Sequence, residues 1–83
     1  MKEIGWRATD YSFDELYDAY LSIIFEYQGR NYRLSCESDQ CLYDLESGNV
    51  LWTFSSKKSF YSGIIFGRPI HEVIDDSYII CLL

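Results

Sequence analysis

From Ser22 onward the chain stops repeating every three or four residues and repeats every two. That switch, in "SIIFEYQGRNYRLSCE", constrains the fold more than any other feature. Strict alternation puts one set of side chains on one face of a pleated strand and the rest on the other. Gly29 and Arg30 fall between two alternating runs, as in a two-residue hairpin with Gly at its first central position. This register sets Tyr27 opposite Tyr32, Phe25 opposite Leu34 and Ile23 opposite Cys36, all on one face. A turn at "ESDQ" then sets Leu34 opposite Tyr43 and Tyr32 opposite Leu45. A third, through Ser47, Gly48 and Asn49, keeps Val50, Trp52 and Phe54 on the same side. Three turns of one parity predict a four-stranded antiparallel meander with one apolar face, because a one-residue slip would reverse a strand's faces.

The second face of this meander carries Glu26, Arg33, Asp44 and Glu46, with Thr53 and Ser55 beyond, and Arg33 is expected between Glu26 and Asp44 across the strands. Ile24, Leu42 and Leu51 interrupt it as a small apolar patch.

Ahead of the meander, "YSFDELYDAYL" has the period of a helix. Phe13, Leu16, Tyr17, Tyr20 and Leu21 form one stripe, and Ser12 with Glu15 fits a capping box. "EIGWRA" reads as a short strand. Beyond Ser55, "SSKKSFYSG" predicts a helical turn capped by Ser55 or Ser56 and ended near Gly63. "RPIHEVIDD" predicts a short helix near residues 69–75, with Pro69 at the first helical position and Ile70, Val73 and Ile74 on one side. "SYIICLL" has no polar alternation, so it predicts a strand buried on both faces, either inside the sheet or by a second chain. The expected fold is α+β: the meander, an N-terminal helix packed on one face, and a C-terminal strand joining the sheet. Residues 1–83 read as a single domain.

No constellation of chemical groups stands out. His71 and Asp75 share a helical face, but a zinc site needs three or four ligands and this helix supplies no third. Cys36 and Cys41 fall on the apolar parity of adjacent strands, an opposed pair able to oxidise, and Cys81 lies in a hydrophobic run; packing, not nucleophilic catalysis, is expected of all three. "GRPIHE" lacks the glycines and the Lys of a phosphate loop. No catalytic, cofactor or metal residue is assigned. Trp6, Tyr11, Phe60 and Tyr61, outside the meander, are the candidates for exposed aromatics.

Composition narrows the class. Hydrophobic residues at 48% and aromatics at 18% give a chain of 83 residues enough surface to bury a core. Thirteen carboxylates against seven Lys and Arg leave a formal charge of −6, which repels a phosphate backbone and attracts a basic protein. No run approaches a membrane span and the start lacks the apolar core of a signal peptide, so the expected setting is the cytoplasm, with reduced thiols. Size, acidity and aromatic hairpins are similar to those of the small acidic proteins of bacterial and mobile-element genomes, toxin-immunity and anti-defence inhibitors among them. That resemblance implies a non-catalytic binding or inhibitory domain facing a basic protein. The second expectation is a structural protein that self-assembles, as a homodimer, through its apolar C-terminal strand. Glu26, Arg33, Asp44, Glu46, Ile24, Leu42, Leu51 and Ile80 are the expected contact residues. His71→Ala is expected to leave stability nearly unchanged, which a thermal melt checks; loss of a bound metal in that variant would contradict this reading.

Overall fold

The computed structural model describes residues 2–7, 13–36 and 40–83, the first six of them as backbone. Strands β1 (Lys2–Arg7), β2 (Ser22–Tyr27), β3 (Arg30–Ser35), β4 (Cys41–Asp44), β5 (Val50–Thr53) and β8 (Ser77–Leu82) make one antiparallel sheet, ordered β1-β8-β2-β3-β4-β5. Helices α1 (Phe13–Ala19), α2 (Lys57–Tyr61) and α3 (Ile70–Asp75) supply the rest of the core, with a two-stranded ribbon, β6 (Ile64–Ile65) and β7 (Arg68–Pro69), between α2 and α3. The α+β class, the meander β2–β5, the helix on one face and the joining C-terminal strand are all present. The capping box at Ser12 and the aromatic Tyr11 lie outside the described residues, as does the side chain of Trp6.

Core and register explain one another. Ile23, Phe25 and Tyr27 of β2 and Tyr32 and Leu34 of β3 are buried on the helical side, as alternation requires. The turn between them is Gln28-Gly29, both at positive φ (51° and 80°), so Phe25 pairs with Tyr32 and Ile23 with Leu34. The expected pairing was two residues longer. Two residues leave parity intact, and both central residues of a type I′ turn take the left-handed conformation that matches strand twist.

The next turn departs by one residue, and the consequence is larger. Leu34 faces Leu42 and Tyr32 faces Asp44. Leu42 is therefore fully buried and Asp44 is 6% exposed on the core side, whereas Tyr43 turns outward. Tyr43 and Leu45 do not line the core, and neither Leu42 nor Asp44 belongs to the outer face. Asp44 shapes the turn that follows: its carboxylate accepts from the backbone N–H of Glu46 (2.9 Å), which starts that turn at Leu45. A bulge then leaves Leu51 unpaired between Tyr43↔Val50 and Leu42↔Trp52, which restores Trp52 to the core side. Val50, expected in the core, is 58% exposed.

Strand β8 is central, antiparallel to β1 on one edge and β2 on the other. Both edges of the apolar C-terminal strand are thus used within the chain. Opposite β2 it carries a bulge at Ile80, so that Ile79 and Leu82 both reach the helical side while Cys81 pairs with Ile24.

Phe60, expected to be exposed, is 2% exposed and holds the helical layer to the sheet. Its ring lies 5.1 to 6.1 Å from those of Phe13, Tyr17, Trp52, Phe54 and Tyr61, within the range of favourable aromatic pairs. Helix α2 is presented by Ser56, whose hydroxyl accepts from the Ser59 N–H. It is followed by Gly63, where a Cβ would collide with the Trp52 indole. Pro69 is the N-cap of α3 and not its first helical residue.

Phe60→Ala is expected to cost about 3–5 kcal/mol in denaturant unfolding. The register is checked by a pair of variants: Leu42→Ala should cost about 2–5 kcal/mol and Tyr43→Ala less than about half of that. The reverse order would mean that β4 is turned over.

Candidate binding surfaces

Three cations organise the polar surface, and each is held by two carboxylates. Arg30 Nε donates to Asp44 Oδ2 at 2.6 Å and lies 3.2 Å from Glu46 Oε2, joining the β2–β3 turn to the β4–β5 turn. Lys57 Nζ stands 2.8 Å from both Asp14 Oδ1 and Asp18 Oδ1, joining α2 to α1, with the Tyr17 ring 5.7 Å away. Arg68 Nη1 donates to Asp76 Oδ2 (2.6 Å) and to the Tyr27 hydroxyl (2.9 Å), and Nη2 to Glu72 Oε1 (3.4 Å), joining β7 to α3 and β2. In "GRPIHEVIDD" the organising residue is thus Arg68; His71 is exposed on α3.

These pairings shift the titrations. Partial burial pushes the Asp44 carboxyl up, but hydrogen bonds from Arg30 and from the Glu46 and Ser47 N–H groups outweigh it and hold the group below the usual carboxylate range. Hydrogen bonds to Asp14 and Asp18 hold the Lys57 ammonium charged well above its ordinary value. Burial pushes Tyr17 and Tyr61 up to about 12 each, so both phenols are neutral at physiological pH.

Two surfaces result. On the helical side, α1, α3 and its cap carry Asp14, Glu15, Asp18, Glu72, Asp75 and Asp76 against Lys57, Lys58 and Arg68, an acid excess that survives the pairing. On the opposite side no described helix covers the sheet, and Ile24, Glu26, Asn31, Arg33 and Tyr43 share its face with Tyr78, which is 43% exposed. Arg33 stands between Ile24 and Tyr43, not between Glu26 and Asp44, with its guanidinium carbon 5.7 Å from the centre of the Tyr43 ring. Of the expected contact residues, the structure brings Ile24, Glu26 and Arg33 together here. Leu51 (43% exposed) and Ile80 (half-buried) sit at bulges, Glu46 lies in an exposed turn, and Leu42 and Asp44 face the core. The sequence reading missed Tyr78, Arg68 and Lys57. The last two had signals: Arg68 and Glu72 are spaced i,i+4, and Asp14 and Asp18 are two like charges on one helical face, awaiting a cation.

The cysteines divide between the faces. Cys36 packs against the core and Cys41 lies opposite Ser35 on the other face, so they are not an opposed pair. Burial, with Asp18 adding to it, pushes the Cys36 thiol up to about 12. A cavity of about 10 Å³ between α3 and the sheet, lined by Phe13, Phe25, Phe60 and Val73, has room for about one water and too few polar partners to hold it. Among the described residues no group of three or more His, Cys, Asp or Glu is placed to hold a metal ion, and no helix is long and apolar enough to cross a membrane. Compared with protein-family models, curated proteins and solved structures, the chain matches none.

Because the folded-state value of Asp44 is lowered, its contribution is full above the unfolded carboxylate value of about 4 and is lost as pH falls through the folded value. Asp44→Asn should therefore melt below the wild type at pH 7, and the gap should close as pH falls below about 4. A gap that is constant with pH would remove the charge from this account.

Proposed function

We propose that this chain is a non-catalytic protein-binding module, inhibitory in the manner of an immunity or anti-defence protein, and that its acidic helical side meets a basic protein surface. The observation that carries the reading is the two-to-one clamping of Lys57 and Arg68 by carboxylates. Both cations are engaged by two carboxylates each, so four carboxylates are set against two positive charges and the helical side keeps an acid excess. A net-negative surface of this kind favours fast encounter with an oppositely charged partner. A thiol held up at about 12 argues against Cys36 as a nucleophile, because the thiolate is the reactive form.

The test is capture of a basic protein from the source organism by the wild type and by Glu15→Lys combined with Asp75→Lys. Expected is capture that falls steeply between about 0.05 and 0.5 M salt, as screening shortens the reach of charge, and that is lost in the charge-reversed variant while its circular dichroism is unchanged. Capture indifferent to both changes would overturn the reading.

A further inference from the structure

We infer that the sheet face covered by no described helix is the contact surface of a symmetric dimer in which Arg33 of each copy pairs with Glu26 of the other. This is independent of the reading above, which uses the helical side. Arg33 and Glu26 lie on adjacent strands of this face, one pair of rungs apart: Glu26 faces Asn31 and Arg33 faces Ile24. Neither takes part in an ion pair among the described residues, unlike Arg30, Lys57 and Arg68, each of which holds two carboxylates. Arg33 Nε and Asn31 Oδ1 are in addition buried without a hydrogen-bond partner. The chain has carboxylates to spare, yet this guanidinium stands over the Tyr43 ring, with Ile24 across from it on β2.

A second copy is the occupant that this charge arrangement selects. One cation and one anion side by side form a self-complementary pair. A two-fold axis lying between the two sheets and passing midway between Arg33 and Glu26 exchanges them, so both contacts are made at once. Charges at the edges of the pair are flanked by groups that gain from losing water: Ile24, Tyr43, Tyr78 and, at the β5 side, Val50, which is 58% exposed. Sheets stacked face to face pack about 10 Å apart, which suits side chains of this length. Any face of a body with extents of 27 × 25 × 23 Å is of the order of the ~800 Å² per partner that a standard interface buries. A chain of −6 would repel its own copy if the helical sides met; the sheet face, with one described charge of each sign, is where two copies can approach.

The test uses sedimentation equilibrium up to about 1 mM, the range in which even weak self-association appears. The wild type is expected at twice the chain mass. Arg33→Glu and Glu26→Arg should each dimerise about tenfold or more weakly, because like charges then face each other twice. An equimolar mixture of these two variants should recover a dimer, since every cross contact in it joins opposite charges; no rearrangement within one chain produces that result. Val50→Glu, at a position open to solvent, provides a second variant should either reversal disturb folding, and should weaken the dimer likewise. A wild type at one chain mass throughout, or a mixture that stays monomeric while both variants keep the wild-type circular dichroism, would overturn the inference.

Discussion

Everything in this molecule hangs on the packing of one ring, Phe60, between a six-stranded sheet and three helices of only 7, 5 and 6 residues. Helices so short do not hold together in water by themselves, so their stability has to come from tertiary contact. Phe60 concentrates that contact, touching α1 through Phe13 and Tyr17 and β5 through Trp52, with Phe54 beside it. The absence of a side chain at Gly63 belongs to the same device, because the Trp52 indole occupies the space a Cβ would need. Much of the aromatic content of the described residues is spent inside, where large rings give short helices the buried contact they need.

A second aromatic group closes the other end. Phe66 takes φ 56° in the ribbon turn, a conformation costly for a bulky residue, with Gly67 following at 74°. Its ring stacks on Tyr27 at 5.1 Å and tilts against Tyr32 at 5.0 Å, contacts that offset the backbone cost. Arg68, two residues on, bonds the Tyr27 hydroxyl from the same ribbon. Exposed ion pairs contribute little one at a time. Here their effect is geometric: each cation joins elements distant in sequence, and the ribbon is tied to β2 by an aromatic stack and a charged hydrogen bond together.

The parts of the fold written in local pattern were legible: the apolar stripe of α1, the alternation of β2 and β3, the serine cap and glycine after α2. What was hidden were one-residue events. "SYIICLL" looks apolar on both faces because a bulge at Ile80 changes parity midway, so Ile79 and Leu82 face the same core. The β4 register turned on Asp44, which reads as a surface carboxylate by alternation and is in fact the residue that shapes its turn. Phe60 was misplaced because five helical residues contain too little period to show which side is buried. Of the candidate contact residues, those on β2 and β3 were legible, since no bulge lies between them and their turn.

That single slip at β4 has an effect on each side of the sheet. It carries Leu42 into the core and brings Asp44 to the side where Arg30 reaches it, completing the β4–β5 turn. By the same step it removes Asp44 from the neighbourhood of Arg33 and puts the Tyr43 ring there. A register one residue longer would have set the Asp44 carboxylate opposite Arg33, on the face that the guanidinium shares with Ile24. The choice that completes the core is thus the one that keeps Asp44 away from Arg33. The interior packing and the chemistry of the open face are set by one registration, and neither can be changed without the other.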